Sequence, residues 1–405
     1  MLQQVEGSKA VAVAIAACRP QVICAYPISP QTHIVEELSR MVKAGELTGC
    51  EYVNVESEFA AMSGAIGASA VGARAYTATA SQGLLYMVEA VYNASGMGLP
   101  IVMTVANRAI GAPINIWNDQ GDAMSQRDSG WLQLYATSNQ EAADLHVQAF
   151  MIAEELSVPV MVCMDGFVLT HAMERVDVVA QADVDAFLPR FEPRQVLDPD
   201  QPMSIGSMVG PEAFTEVRYL AHTRQLEALD VIPRVAAEFA AQFGRDSGGL
   251  LRPYLVEDAD TVVVALGSVF GTLQDVVDAE RAAGMSVGLV GVTSFRPFPY
   301  DALRAVLAGA RRVVVIERAL AVGAGGIVSG DVRNALAGTG IEQLTVVAGL
   351  GGRPITTTSL REMLGRAVRD ELPAMSFLDL DQGVVERELD RRHAGDRTHT
   401  AVGQK

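Results

Sequence analysis

Lysine is nearly missing from this chain: of 31 basic residues only Lys9, Lys43 and Lys405 are lysine, set against 48 acids for a formal charge of -17. A net-negative surface repels phosphate backbones and anionic lipid heads, which argues against a nucleic-acid partner and against a membrane-surface role. Cysteine is scarce as well. Cys18, Cys24, Cys50 and Cys163 contain no CxxC spacing; they are too few and too scattered for a disulfide framework, and they lack the grouping that an iron–sulfur cluster's ligands need. The scatter points to a reducing, cytoplasmic setting, and any cluster has to sit on a partner. The longest low-charge stretch, 59–73, is mostly Ala, Gly and Ser and falls short of the roughly 20 apolar residues of a membrane span. Ile15-Ala16-Ala17-Cys18 superficially resembles a lipoprotein processing site, but Glu6 and Lys9 interrupt the short apolar run before it. Also absent are a GxGxxG turn, a GxxxxGK[ST] loop, an HExxH pair and a GxSxG elbow. His33, His146, His171, His222, His393 and His399 are dispersed, and no metal ligands are expected on this chain.

What is present is a globular composition, 49% hydrophobic and 20% charged over 405 residues, enough for two to four domains at roughly 100 to 200 residues each. Helical and extended patches alternate from 9 to about 170: helices near 11–18, 34–44, 59–73, 84–95 and 140–156, with strands near 21–26, 52–55, 75–78, 101–105 and 158–164. Such alternation predicts an α/β domain with a parallel sheet and function at the C-terminal strand ends. Pro189, Pro193, Pro199, Pro202 and Pro211 punctuate a linker, a helix follows over 212–243, and strands at 260–266, 286–292, 312–316 and 344–348 mark a second α/β domain. The expected boundaries are 1–175, a linker and helix at 176–250, a second domain at 251–385, and a polar tail at 386–405.

The chemistry concentrates at the strand ends of the first domain. Tyr26-Pro27-Ile28-Ser29-Pro30 is a turn stiffened by two prolines. Glu58 opens a Gly/Ala-rich helix, a place where an acid often only balances the helix dipole. Thr79-Ala80-Ser81-Gln82-Gly83 reads as a strand-to-helix turn with free N–H groups. Asn107-Arg108 ends another strand, and an arginine there suits bidentate capture of a carboxylate, or else an ion pair with a nearby acid.

Taken in order, Tyr-Pro-Ile-Ser-Pro, Glu-Ser-Glu with its small-residue helix, Thr-Ala-Ser-Gln-Gly, Asn-Arg-Ala, Asp-Gln-Gly-Asp and Arg-Asp-Ser-Gly-Trp resemble the thiamine-diphosphate-dependent 2-oxoacid:ferredoxin oxidoreductases. The likeness is narrower still to their alpha subunit, of the pyruvate:ferredoxin oxidoreductase or phenylglyoxylate dehydrogenase kind. It continues through Met164-Asp-Gly-Phe167 and Ser294-Phe-Arg-Pro-Phe-Pro299. The resemblance implies a pyrimidine-binding thiamine diphosphate domain followed by a transketolase C-terminal-like domain. It assigns Glu58 to the cofactor's pyrimidine ring nitrogen, where an acid favours the tautomer that takes the thiazolium proton. Ser81, Gln82 and Gly83 become cofactor contacts, and Arg108 the carboxylate clamp for the 2-oxoacid. Asp119, Asp122, Arg127 and Asp128 match the loop after that arginine and are read as supporting structure. Ser29 stands where pyruvate-using relatives usually carry threonine, so pyruvate competes with a bulkier or aromatic acid such as phenylglyoxylate.

No GDG with a distant Asn, the motif for magnesium and diphosphate, is found. By resemblance, a beta subunit supplies Mg2+, the diphosphate end and a [4Fe-4S] cluster, and gamma and ferredoxin-like delta subunits carry electrons onward. The implied reaction converts a 2-oxoacid and coenzyme A to an acyl-CoA and CO2, with ferredoxin as acceptor, or NAD through a partner bearing FAD. Two rivals stand beside it. One is a non-oxidative thiamine-dependent lyase or acyl-transferring dehydrogenase component, and the other is a scaffold subunit that keeps the fold without the chemistry.

Overall fold

The computed structural model describes residues 2–402, with side chains through residue 392. Its strands run β1 Leu2–Glu6, β2 Val22–Ala25, β3 Glu51–Asn54, β4 Ala75–Thr79, β5 Val102–Asn107, β6 Leu132–Tyr135, β7 Val160–Asp165 and β8 Met173–Asp177. The remainder are β9 Leu251–Tyr254, β10 Thr261–Ala265, β11 Val287–Val292, β12 Ser294–Arg296, β13 Arg312–Glu317, β14 Glu342–Val347 and β15 Met375–Phe377. They build two mixed but mainly parallel sheets, ordered β12-β6-β7-β5-β4-β2-β3 and β15-β14-β13-β10-β11-β9, and a small antiparallel pair, β1 with β8. The architecture is α/β, as the alternation predicts.

Wholly buried strands such as Val160–Asp165 and Arg312–Glu317 are the pattern of a sheet covered on both faces. One face of the first sheet packs under the helices Gly7–Ala17, Thr32–Lys43, Asn139–Leu156 and Phe214–Phe243. Its other face shares a single apolar core with the second sheet, where Met103, Met161 and Trp131 join Val262, Val264 and Val290. The two sheets are therefore held by one continuous hydrophobic layer.

Several local readings change. The helix expected at 84–95 divides into Ser81–Tyr86 and Val88–Gly96. The helix expected near 11–18 begins at Gly7 and has no side-chain cap; Ser8 Oγ, within its first turn, donates to the Thr170 carbonyl (2.8 Å). The Ser294 segment, expected within the second domain, adds an antiparallel edge strand to the first sheet through β6. Residues of the polar tail form part of a helix, Gln382–Val402, and 403–405 lie outside the described residues.

The chain leaves β2 for the edge strand β3 and then returns to the other side of β2 as β4. Strand order reverses between β2 and β4. In an open parallel sheet such a reversal opens a crevice at the C-terminal strand ends, where ligands bind.

Candidate active site

The β2 end carries Tyr26–Ser29, and the β4 end carries Thr79 and the turn into helix Ser81–Tyr86. Glu58 is the first residue of helix Glu58–Ala70, whose entry is fixed by Ser57 Oγ accepting from Ala60 N at 3.2 Å. This helix lies tight on β2 because Gly64 has no side chain: a Cβ there would sit 2.8 Å from Cys24 Sγ. Glu58 is 9% exposed, and its carboxyl has no hydrogen-bond or ion-pair partner among the described residues. Its close neighbour is Gly83, where a Cβ would lie 2.8 Å from Glu58 Oε1 and 2.6 Å from Thr79 Oγ1. Thr79 Oγ1 is itself buried without a partner. Buried charged and polar groups are ordinarily paired. An uncommitted acid beside an uncommitted hydroxyl at the switch point is a place prepared for a polar ligand.

Arg108 follows β5 and is 7% exposed. Its Nη1 donates to the Ser29 carbonyl (3.0 Å) and its Nε to the Asn115 carbonyl (3.4 Å). It forms no ion pair among the described residues, which disposes of the structural ion-pair alternative. Burial pulls its guanidinium below the ordinary range, opposed by the nearby charge of Asp122. The side chain is thus a buried cation without an ion-pair partner among the described residues. Ser29 itself is exposed and meets Arg108 through its backbone.

Ser81 holds a left-handed backbone (φ 50°), and its Oγ donates to the Ala109 carbonyl at 2.5 Å, so the β4 and β5 turns are tied together. Gln82 also bonds Ser81 Oγ, and its amide lies against Gly111. The structure therefore brings Ser29, Glu58, Ser81, Gln82, Gly83 and Arg108 to one crevice.

The hub of that crevice is Asp122, given only a supporting part on sequence. It is fully buried. One carboxylate oxygen accepts from Ser81 N (2.9 Å) and Arg108 N (3.0 Å), the other from Asn107 Nδ2 (2.8 Å) and Ala123 N (2.7 Å). Desolvation outweighs these four donors and the carboxyl is pushed up to about 6. Arg127 and Asp128 lie elsewhere, on the wall of a cleft of about 990 Å3 between helix Phe214–Phe243 and Pro297–Tyr300 that none of the six crevice residues lines.

A second polar knot forms at the β7 strand end, with partners that the sequence does not reveal. Asp165, at the β7 end, accepts from Gln120 Nε2 (2.9 Å), Ser268 N (2.8 Å), Ser268 Oγ (2.5 Å) and Arg318 Nη1 (2.9 Å). It fastens the second sheet's strand ends to the first domain's active-site loop. Gly351 does the same with its carbonyl, which accepts from Asn115 Nδ2 (3.1 Å). The only local signal was Met164-Asp-Gly-Phe167 itself, because the partners are 45 to 153 positions away.

With this geometry in hand, comparison with known proteins decides the family. Residues 13–237, more than half the chain, match the family model described as pyruvate flavodoxin/ferredoxin oxidoreductase, thiamine diphosphate-binding. The chain belongs to that family. A further family model, pyruvate:ferredoxin oxidoreductase core domain II, matches 259–360. Among family relatives, the pyruvate synthase subunit PorA of Methanosarcina barkeri is 49% identical over 89% of this chain and 91% of its own. That of Methanothermobacter thermautotrophicus is 43% identical over 92% and 96%. The ketoisovalerate oxidoreductase subunit VorA of Pyrococcus horikoshii is 38% identical over 96% and 97%. In fold, the chain is similar to 2-oxoglutarate:ferredoxin oxidoreductase from Magnetococcus marinus (TM-score 0.68, 19% identity, 92% of this chain), spanning 65% of that longer protein. It is also similar to a split-gene transketolase (TM-score 0.54, 15% identity, 91% of this chain and 99% of the other).

Proposed function

We propose that this chain is the alpha subunit of a heteromeric 2-oxoacid oxidoreductase and contributes the pyrimidine-side half of its thiamine diphosphate site. The observation that carries the reading is a pair of charged groups at neighbouring strand ends with no ion-pair partner among the described residues: the Glu58 carboxyl beside Gly83 and Thr79, and the Arg108 guanidinium, which donates only to backbone carbonyls. The donor set suits the cofactor, since an aminopyrimidine offers a ring nitrogen to an acid and further polar atoms to an orphaned hydroxyl.

Glu58 would hold the pyrimidine ring nitrogen and keep a proton there. Gly83, lacking a Cβ, leaves room for Glu58 to lie close, and Ser81 and Gln82 would shape the same wall. Arg108 would bind the substrate carboxylate, releasing it as neutral CO2, and the Ser29 turn would position that arginine through its carbonyl. When bound, thiamine diphosphate supplies the carbon that adds to the keto group and a ring that accepts the electron pair left by decarboxylation. Asp122 positions rather than reacts, because its oxygens are spent on the two turns that carry Ser81 and Arg108.

In the assembled complex, coenzyme A would take the acyl group as its thioester, and an iron–sulfur partner would carry the two electrons to ferredoxin. NAD as acceptor would require a further FAD-bearing chain. A beta-type partner supplies Mg2+ and the diphosphate grip, consistent with the missing GDG motif, with gamma and delta chains completing the electron path. Pyruvate is the favoured substrate: the relatives reported above are named for pyruvate and ketoisovalerate, and phenylglyoxylate finds no support among them.

The test is Glu58→Gln in the complex reconstituted from all its subunits. Turnover with pyruvate should fall at least a hundredfold, in line with the roughly 10² to 10⁴ of a positioned proton-transfer group. Turnover within twofold of the parent would favour a scaffold role. Aldehyde rather than acyl-CoA as product, with no iron–sulfur absorption from the partners, would favour the lyase.

A further inference from the structure

The histidines that look dispersed in the sequence do not all stay apart. Glu6 ends β1, His33 is the second residue of helix Thr32–Lys43, and His171 lies between β7 and β8. One potential ligand atom from each falls within 4.8 Å of the others. His33 Nδ1 is 2.6 Å from Glu6 Oε1, and the His33 and His171 rings are 4.6 Å apart. We propose that Glu6, His33 and His171 form a surface site for a divalent transition ion of the zinc class, with water in the remaining coordination.

Chemistry and geometry support this jointly. Two imidazoles and one carboxylate are ligands that such an ion accepts readily, whereas Mg2+ and Ca2+ prefer all-oxygen sets. Tetrahedral bonds of about 2.0 to 2.1 Å place ligand atoms about 3.3 Å apart. The widest separation therefore has to close by up to about 1.5 Å and the His33–Glu6 contact to open by about 0.7 Å, which side chains 48% exposed at His33 and 29% exposed at Glu6 can make. The ion would replace the proton now shared between His33 and Glu6.

His171 is also held as a ligand ordinarily is. Its Nδ1 is 2.7 Å from Thr170 Oγ1, which accepts from Phe167 N (2.8 Å), while the Thr170 carbonyl accepts from Ser8 N and Ser8 Oγ. Thr170 Oγ has a second lone pair for the Nδ1 proton, and this leaves Nε2 free to bind the ion. A fixed hydrogen bond on the far ring nitrogen is what orients metal-binding histidines. His171 further packs on Phe167 (4.7 Å), and Phe167 on Trp117 (4.8 Å), in the loop between Arg108 and Asp119. The bound ion would fasten the first strand, the helix that follows the Ser29 turn and the segment backing the Trp117 loop. It would take no part in the chemistry at Glu58.

The experiment is calorimetric titration of ZnCl2 into the full-length chain after chelator treatment and dialysis, with thermal unfolding measured in parallel. One saturable equivalent and an upward shift in Tm are expected, together with the intense visible absorption of tetrahedral Co2+ when CoCl2 is substituted. His33→Ala and His171→Ala should each weaken zinc affinity at least tenfold, and His222→Ala, remote from the cluster, should leave it unchanged. Absence of saturable zinc binding by the parent chain would overturn the proposal. So would His33→Ala and His171→Ala proteins with parental circular dichroism that still bind zinc as the parent does.

Discussion

Alanine at Gly83 would add a single methyl group at the most crowded point of the crevice. The new carbon would lie 2.6 Å from Thr79 Oγ1 and 2.8 Å from both Glu58 Cγ and Oε1, where ordinary contacts begin at 3.4 Å. Thr79 is wholly buried in β4 and cannot yield. The Glu58 carboxyl must then retreat by about 0.6 Å, the difference between the two distances. Misplacing a reacting group by about 1 Å costs up to about a hundredfold in rate, so roughly tenfold is expected in turnover. The stability change is smaller. Alanine gains about 1 kcal/mol over glycine within a helix, and overpacking costs about 1 to 3 kcal/mol, leaving a net loss of about 0 to 2 kcal/mol. Gly67, in the helix that Glu58 opens, is the matched control: its Cβ would meet nothing within 4 Å. Gly67→Ala should therefore stabilise by roughly 1 kcal/mol and leave turnover alone. The assays are pyruvate turnover in the reconstituted complex and urea unfolding of the chain. A folded Gly83→Ala protein turning over within twofold of the parent, or a Gly67→Ala protein impaired to the same degree, would refute the assignment of Glu58 to the reaction.

Arg108→Ala should raise the Michaelis constant for the 2-oxoacid by about thirtyfold, the equivalent of one charged hydrogen-bond pair at about 2 kcal/mol, and leave that for coenzyme A nearly unchanged; equal effects on both would contradict a carboxylate clamp. Arg318→Met removes one of four donors to buried Asp165. With three donors remaining, the cost should sit at or below the lower end of the range for broken buried pairs, about 2 to 3 kcal/mol in urea unfolding. Asp165→Asn in the same chain should recover part of that cost, and strict additivity of the two changes would deny the coupling. His146 is wholly buried between Thr104 Oγ1 (2.5 Å) and the Ala142 carbonyl (2.6 Å), and burial lowers its pKa from 6.5 to about 4. Its stabilising contribution is full above pH 6.5 and is lost as pH falls toward 4, so the parent should lose up to about 3 kcal/mol relative to His146→Gln across that window. Asp122, raised to about 6, works in the opposite sense, stabilising below about 3.8 and losing that contribution as pH rises through 6. A stability difference between parent and His146→Gln that does not vary with pH would contradict the burial argument.

The legible part of the site lay in strand ends. Tyr26–Ser29, Thr79–Gly83 and Asn107-Arg108 each follow an apolar run, and in a parallel sheet the residues just after a strand line the ligand crevice. Glu58 was legible for a related reason, since an acid at the start of a helix made of small residues can be approached closely by a neighbouring turn. Asp122 was not. Its importance comes from receiving N–H groups of Ser81 and Arg108, and nothing in Gln120-Gly121-Asp122 announces which turns fold over it. The Ser294 strand was misplaced because its register depends on β6, about 160 positions earlier, and not on its own short pattern.

Local patterning along the chain thus determined the α/β class, the alternation of elements and the residues that reach the strand ends, because hydrophobic period and turn chemistry act over neighbouring positions. Tertiary structure alone decided which side chains, among the described residues, end up without a hydrogen-bond partner, Glu58 and Thr79, or without an ion pair, Arg108, and which are gathered into knots, Asp122, Asp165 and the Glu6, His33 and His171 cluster. Pairing depends on distances between segments far apart in sequence, and those distances exist only once the sheets have closed around a shared core.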